Sequence, residues 1–530
     1  MQRQSFIAGT SVLIGASLIT RILGFIYRIA LTRLIGAEGI GLFQMVFPLL
    51  TLILTIVTFG MGVSVSKLVA ESVVTGNRER IRRILVTALS ITLTLAIVLT
   101  VGMILFGHFF ARYLFTDPRA YFPFITLTPI ILIIAAASVL RGYFQGLQIM
   151  STPSVAAIIE TLVRIVAVWI IAFLSLAKGK GMEYAAASVS GGMILGELAG
   201  CLYMYLIYRR KIRISNLPLP PYTGEPEPFT RTLRAMFEIA LPVTFSRFIG
   251  SIAFAVEPIL VTRSLLMAGI TTTLATRMYG EYSGMAIPLL VFPTVFTYSL
   301  AVQLVPSISE AIAAGQEKLV ERRLYQSFRV TALVGFPTSL ILLQYATPLC
   351  DAIFHHPHVA PLLAIMAPTG FLLYLQGPLS GILQGINKAG IAMRNSLIGA
   401  AIKLLIIYFL ASKPAIGISG VAIAVAASVT LTTLLHINSV HRIIGFYVDA
   451  LDTAKILAAT AAMGLFTHLL WINLSAVPLS TALTTAISSG LMVYLLLLVM
   501  SGTLTSHAFT RIPWIGKRLA HFIKYIPFSK

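Results

Sequence analysis

Long apolar runs, separated by short polar connections, extend along almost the whole of this chain. Each run has the length of about 20 residues that a helix needs to cross the hydrocarbon core of a bilayer. Fourteen such runs lie at approximately 8–34, 40–66, 84–107, 121–142, 155–177, 184–208, 236–266, 282–306, 328–350, 359–382, 392–412, 416–440, 453–474 and 479–502. The pattern predicts an all-α polytopic membrane protein with 14 transmembrane helices.

The composition agrees, since 57% of the 530 residues are apolar and only 11% are charged, against about 25% charged in soluble domains. With the N-terminus inside, the cytoplasmic connections hold 26 Lys and Arg residues and the outer connections hold 7. This asymmetry predicts a cell-membrane protein with both termini in the cytoplasm. The same basic residues account for the net charge of +21, and we expect them to contact anionic lipid headgroups. The charge therefore does not indicate a nucleic acid partner.

A proline-rich polar segment from Tyr208 to Arg234 separates six runs from eight, because proline blocks a helix there. RGYFQGLQIM, from Arg141, resembles SGILQGINKA, from Ser380, which lies 239 residues later. Repeated bundles around a central site are common in secondary transporters. The predicted organisation is two pseudo-symmetric six-helix bundles at 1–208 and 235–440, a cytoplasmic linker at 209–234, and two extra transmembrane helices with a basic cytoplasmic tail at 441–530.

Cations inside the apolar runs are the main candidates for function. Arg21 and Arg28 lie seven residues apart in the first run, which places them on one face of a helix about 10 Å apart. A cation in hydrocarbon costs about 2.5–3.5 kcal/mol on insertion scales, so we expect it to face water or an anionic partner. Arginine binds phosphate through paired hydrogen bonds and stays charged. A substrate that carries a diphosphate is therefore the predicted guest.

Three more cations complete the predicted substrate-binding set. Lys67 lies at the end of the second run, and Arg247 and Arg263 lie in the seventh. For Arg28 and Arg263 the alternative is that the side chain reaches the membrane surface or pairs inside the protein.

Glu257 lies deep in the seventh run, whereas Glu238 lies near its start, and the proline after Glu257 usually bends a helix. We predict that Glu257 is the ion-coupling residue. Protonation, or binding of a monovalent cation, would release Arg247 or Arg263 to the substrate. The alternative is a permanent ion pair.

Two acids lie well inside other apolar runs. Glu160 and Arg164 are one helical turn apart, a spacing typical of a local ion pair. Glu197 is flanked by small residues that permit close helix packing, and it is either structural or a cation site.

Signatures of other chemistry are missing from the sequence. It has no GxxxxGK[ST] loop for ATP, no HExxH and no GxSxG. Cys201 and Cys350 lie in different apolar runs, and the spacing of His355, His356 and His358 suits a short loop better than a metal site. We therefore predict a protein that is not an enzyme, with no catalytic residue, cofactor, metal or ATP.

Three segments resemble a known family. TRILGFIYRIALTRLIGAEGIGLFQM, from Thr20, is similar to the first span of the polysaccharide-transport and MurJ-like flippases of the MOP exporter superfamily. MAIPLLVFPTVFTYSLAVQLVPSISEA, from Met285, resembles their eighth span, and RGYFQGLQIMSTPSVAAIIETLVRI also fits. The resemblance covers nearly the whole chain and is greatest to the stage V sporulation protein B family of spore-forming bacteria.

The resemblance implies a V-shaped MOP fold and a lipid II flippase, or a flippase of a similar undecaprenyl-diphosphate-linked glycan, serving the spore cortex. Arg21 matches the first arginine of the family pattern. The second family arginine falls on Tyr27, one position before Arg28, which is about 100° around the helix. The usual arginine of span 2 is absent, and Lys67 is a loose substitute. Glu257 stands where several relatives carry an acid.

The sequence thus predicts a flippase that moves the lipid-linked precursor to the outer leaflet by alternating access. Its other partners are membrane lipids, and a monovalent cation or the membrane potential returns the transporter to its starting state. A drug or cation antiporter of the same superfamily is the first alternative, but it would favour carboxylates over arginines. A glycan polymerase is the second, and it would need an acidic group in a substantial outer loop, whereas the outer connections are short.

Overall fold

The computed structural model describes residues 6–210, 228–445, 449–474 and 476–504, with the backbone alone at 6–14, 246 and 299. Within these residues all regular secondary structure is helical. The predicted linker, for the most part, and the predicted basic tail lie outside the described residues. The α-helices are α1 Phe6–Thr58, α2 Met61–Thr75, α3 Arg78–Leu105, α4 Gly107–Tyr113, α5 Tyr121–Leu127, α6 Ile130–Gly146, α7 Ser151–Ala177, α8 Met182–Arg210, α9 Phe229–Met267, α10 Thr272–Glu281, α11 Ile287–Val291, α12 Thr294–Ala313, α13 Glu317–Gln344, α14 Ala346–Phe354, α15 Ala360–Met366, α16 Gly370–Gly385, α17 Ala389–Ala411, α18 Ile418–Ile444, α19 Ala450–Asn473 and α20 Leu479–Met500.

Twelve helical segments of the described chain are long and apolar enough to cross a membrane, or up to 13 if the bent pair Pro118–Leu127 and Ile130–Gly146 counts as one span. The protein is therefore a multi-pass membrane protein, as predicted. The count of 14 is not confirmed, and one reason lies in the first segment, Gly15–Thr75, which covers 61 residues.

That first segment contains a sharp break in α1. Gly36 has φ 66° and ψ 179° inside an otherwise continuous helix, a conformation that glycine adopts without the strain a Cβ atom would cause. At 1.5 Å per residue an unbroken helix of 53 residues would be about 80 Å long, far more than one bilayer crossing. The Gly36 break separates the two predicted spans, 8–34 and 40–66.

The structure confirms the repeat that the sequence predicted at a spacing of 239 residues. Three elements have counterparts with the same bounds 239 residues later. Helix α3 corresponds to α13, the 3-10 turn Pro118–Ala120 corresponds to the 3-10 turn Pro357–Val359, and α5 corresponds to α15. The residues after α6 and α16 also match, since Gln148 and Asn387 both have φ 60°. The same succession of helices and turns is therefore built twice.

Side-chain packing repeats at the same spacing. A Cβ atom on Gly146 would meet Ser66 and Val69 of α2 within 3.0 Å, and one on Gly385 would meet the corresponding Val305 and Ile308 of α12. The absent side chains let α6 and α16 each approach a neighbouring helix closely. Each copy thus forms its core by the same contact.

The chain forms two compact units, Met1–Gly284 with Ile407–Ile418, and Met285–Ile406 with Ser419–Lys530. The first unit contains two hydrophobic cores, one around Leu42 and Phe124 and one around Ile84. The core of the second unit includes Ile382 and Met463. The domain bounds predicted from the proline-rich segment stay a prediction, and helices α9 and α10 pack with the first unit.

Candidate substrate and coupling site

Helix α1 carries the two arginines that the sequence singled out. Arg21 and Arg28 are both half-buried. The Arg28 guanidinium donates a hydrogen bond of 3.4 Å to the backbone carbonyl of Ser283. Arg28 is thus directed at a second helix of the first unit.

Ser283 belongs to a π-helical turn, Tyr282–Ala286, that follows α10. Such turns contain one residue more per turn than an α-helix and are frequent at functional sites. The preceding residue of the same turn, Tyr282, donates a hydrogen bond of 2.8 Å to the Glu257 carboxylate. Arg28 and Glu257 are therefore held by adjacent residues of one irregular turn.

Glu257 is buried, with 8% of its surface exposed, and Tyr282 has 3% exposed. A carboxylate in hydrocarbon is costly unless polar groups solvate it, so its position is restricted to a polar site such as this one. The sequence identified Glu257 but gave no sign of Tyr282, because the two residues lie on different helices.

The other predicted cations lie elsewhere. Lys67 and Arg247 are exposed. Arg263 is also exposed and donates a hydrogen bond to the carbonyl of Tyr113. At 100° per residue Arg247 and Arg263 both lie on other faces of α9 than Glu257. Their predicted release by Glu257 stays a prediction.

A second charged group approaches α1 from α7. Arg164 pairs with Glu160 at 3.4 Å, which confirms the predicted local ion pair. The guanidinium carbon of Arg164 also lies 5.9 Å from the ring centre of Tyr27, the residue before Arg28. The sequence missed this contact, because no spacing rule connects α1 with α7.

Glu197, on α8, pairs with Arg141 of α6 at 3.7 Å. Helices α7 and α8 approach closely here, since a Cβ atom on Gly196 would lie 2.7 Å from the Glu160 carbonyl. The small residues around Glu197 permit this approach, as the sequence predicted. The acids Glu160 and Glu197 therefore lie on tightly packed helices, each with an arginine partner.

A polar network at the predicted outer end of the first unit was also missed. Arg119 donates to Asp117 at 2.8 Å and to Glu38 of α1. Thr276 of α10 donates to the same Asp117 carboxylate at 3.0 Å. Asp117, with 1% of its surface exposed, thereby connects α1, the α4–α5 connection and α10.

Burial raises the pKa of Asp117, but hydrogen bonds from Arg119 and Thr276 outweigh it and hold the pKa below the usual value. The carboxylate is therefore ionised at neutral pH. Its charge lets the network stabilise the contact between helices.

Helices α1 and α10 touch through backbone beside this network. A Cβ atom on Gly280 would lie 1.9 Å from the carbonyl oxygen of Ala37, and one on Gly41 would lie 2.1 Å from that of Thr276. No larger side chain fits at either position unless a helix moves. The backbones of α1 and α10 are therefore in direct contact at Gly41 and Gly280.

Multiple helices long enough to cross a bilayer, a repeated helical succession and buried charge within apolar helices define this protein as a multi-pass membrane protein with a duplicated fold. The chain belongs to the polysaccharide biosynthesis protein family, whose family model matches residues 6–312. A second model, described as MatE, matches residues 258–409.

Relatives agree with this assignment. The chain is 38% identical to stage V sporulation protein B of Bacillus subtilis (strain 168), over 98% of this chain and 99% of the relative. It is 26% identical to lipid II flippase MurJ of the same organism, over 75% and 76% of the two chains. Among solved structures, an inward-facing MATE family transporter of the MOP superfamily is similar in fold, with a TM-score of 0.65 at 14% identity over 82% of this chain and 98% of that one. The predicted family and superfamily fold are confirmed.

Proposed function

We propose that this protein moves an undecaprenyl-diphosphate-linked glycan precursor, lipid II for the peptidoglycan of the spore cortex, from the cytoplasmic to the outer leaflet by alternating access. The name of the MurJ relative supports the flippase activity, and the name of stage V sporulation protein B supports a role in spore formation. The lipid is moved and not chemically changed, so no catalytic residue or cofactor takes part. The protein acts in the cell membrane with both termini in the cytoplasm.

The observation that carries this proposal is the attachment of Arg28 and Glu257 to one turn. Among the described residues, the Arg28 fork bonds a single backbone carbonyl at 3.4 Å, which is a long and weak hydrogen bond. A diphosphate offers shorter, charge-assisted bonds in paired geometry. The anion therefore competes well for this guanidinium, and Arg21 supplies a second charge about two helical turns away.

Glu257 gives the site a means to respond to a cation. Because Tyr282 donates to it, a proton or a monovalent cation on the carboxylate alters the hydrogen bond to the same turn that accepts from Arg28. Arg28 is then released to the substrate or withdrawn from it. The polyprenyl tail remains in the lipid throughout.

The experiment is a flipping assay with labelled lipid II in cells that depend on this protein. Arg21→Ala and Arg28→Ala are expected to abolish flipping at normal protein levels. Lys413→Ala, which removes one positive charge from an exposed position, is expected to leave flipping unchanged. Normal flipping in both arginine variants would remove the diphosphate site from the mechanism, and dye efflux without any lipid-linked substrate would favour the antiporter.

A further inference from the structure

A cavity of about 450 Å³ lies in the second unit, away from the charged residues described above. Its walls come from α12, α13 and the segment after α20. Helices α12 and α13 form a hairpin around Gly315, which has φ 66°, so residues equally distant from this turn face each other. Ser307 thereby opposes Arg323, and Leu300 opposes Val330.

The cavity changes character along its length. Near the turn its walls are Ser307, Arg323 and Gln326, and farther along both helices they are Leu300 and Leu333. The polar end is the predicted cytoplasmic end of these helices, where lipid headgroups lie, and the apolar end points into the predicted span. The lining therefore suits a molecule with a polar head and an apolar body.

Four polar side chains in the lining have no side-chain partner among the residues that the structure describes. Gln303, Ser307, Arg323 and Gln326 make no side-chain hydrogen bond or ion pair with any other described residue. Gln303 and Arg323 are exposed, and Ser307 and Gln326 are half-buried, so water or a ligand reaches all four groups. They present donors to the cavity.

The charge of the cavity is positive. Arg329 lies in its wall but is paired with Asp452 at 2.7 Å, and it also donates to the Thr503 carbonyl. No carboxylate lines the cavity in the described part of the chain. Within the described ranges Arg323 is thus a guanidinium without a counter-charge, which favours an anion over a zwitterion.

The internal repeat supplies a comparison. The positions in the first copy that correspond to Arg323 and Ser307 are Ile84 and Leu68, 239 residues earlier. Both are buried, with 0% and 2% of their surface exposed, in the core that contains Met236 of α9. The same helical hairpin is therefore filled by apolar side chains in one copy and left open and polar in the other, so the fold itself does not require the cavity.

We propose that this cavity binds the phosphate headgroup of an anionic phospholipid, with Arg323 as its charge partner and Gln303, Ser307 and Gln326 as further donors. The first atoms of the acyl chains lie against Leu300 and Leu333. This inference is independent of the proposed transport activity, because none of these residues belongs to the Arg28 and Glu257 site.

The test is titration of the purified full-length protein with phosphatidylglycerol in detergent, read by native mass spectrometry, with phosphatidylcholine and inorganic phosphate as separate arms. Arg323→Gln is expected to weaken phosphatidylglycerol binding about ten-fold, the loss of one charge-assisted hydrogen-bond partner. Arg322→Gln is the matched control, because Arg322 is exposed and does not line the cavity. Its binding is expected to stay within about two-fold of the unsubstituted protein.

Val330→Trp is the second variant. Val330 lines the cavity and is 47% exposed, so a larger ring fills the cavity with little effect on folding and should weaken binding about as much as Arg323→Gln. Equal losses in the two arginine variants would show diffuse surface charge and overturn the proposal. The proposal would also be overturned if phosphatidylcholine bound as tightly as phosphatidylglycerol, or if Val330→Trp left phosphatidylglycerol binding unchanged. Displacement of the lipid by millimolar phosphate would overturn it as well.

Discussion

Tyr282 donates a hydrogen bond of 2.8 Å to the buried carboxylate of Glu257, and the residue after Tyr282 accepts one from Arg28. The carboxylate of Glu257 and the guanidinium of Arg28, which lie on different helices, are thereby connected through two consecutive residues. In the proposed mechanism, a change in the charge of Glu257 acts on Arg28 through this turn of backbone.

Tyr282→Phe tests this coupling. The substitution removes the hydroxyl and leaves the Glu257 carboxylate without one donor, a loss of about 1.5–3 kcal/mol for a bond to a charged group. We expect lipid II flipping to slow by about ten-fold or more, measured as an initial rate in cells. Tyr345→Phe is the control and should flip normally, because it removes another buried tyrosine hydroxyl, one that donates to the Thr467 carbonyl in the second unit.

Glu257→Gln separates charge from hydrogen bonding. The amide oxygen still accepts from Tyr282, so the structure should persist, with a melting temperature close to that of the unsubstituted protein. Because the amide neither binds a proton in the relevant pH range nor attracts a cation, flipping should no longer respond to the ion gradient. A variant that keeps its full response to sodium and to pH would show that coupling lies elsewhere.

Arg28→Lys tests the geometry of anion binding. Lysine keeps the charge but lacks the planar fork that bonds a diphosphate at two points. We expect about a tenfold lower flipping rate than in the unsubstituted protein, whereas Arg28→Ala abolishes flipping. Equal flipping rates in the unsubstituted protein and in Arg28→Lys would mean that the site recognises the substrate through positive charge alone.

Asp117 predicts a dependence of stability on pH. Its pKa is lowered in the folded state, so its contribution is complete above the unfolded value of about 3.9 and disappears as the pH falls through the lower folded value. Asp117→Asn should cost about 1.5–3 kcal/mol at pH 7, the range for a hydrogen bond to a charged group, because Arg119 keeps its contact with Glu38. Thermal unfolding from pH 7 to pH 3 is expected to show the two proteins converge only at the acidic end. A constant difference would exclude titration of Asp117.

Gly280→Ala tests the close contact of α1 and α10. The added Cβ atom would lie 1.9 Å from the Ala37 carbonyl, so the helices must separate and the melting temperature should fall by several degrees. Gly250 is the matched control, because a Cβ atom there meets nothing within 4 Å. Gly250→Ala should raise stability by up to about 1 kcal/mol through helix propensity. Equal effects of both substitutions would contradict the close contact.

Much of the fold could be predicted because bilayer crossing and duplication leave local marks in a sequence. Long apolar runs gave the spans, and Gln145-Gly146 and Gln384-Gly385 gave the repeat spacing that the helices follow. The number of spans could not be obtained in this way. The Gly36 break and the bent segment Pro118–Gly146 depend on backbone geometry, which apolar composition does not encode.

The candidate site was predictable only in part. Charge inside an apolar run marked Arg28 and Glu257, since each must have a polar surrounding. Their partners were hidden, because Ser283 and Tyr282 lie in an unremarkable sequence and meet them only after folding. Asp117 and Arg119 counted as scattered outer charges, because their contacts to Glu38 and Thr276 span 81 and 159 residues.

The duplication gives this protein an internal reference for mutagenesis. Residues 239 apart occupy equivalent places in the helices from α3 to α6 and from α13 to α16. Some of these pairs differ in chemistry, as Ile84 and Arg323 do. Exchanging the two side chains of such a pair tests whether one copy requires the apolar residue and the other the charged residue at the same backbone position. Divergence between the halves of one chain can thus be dissected without any second protein.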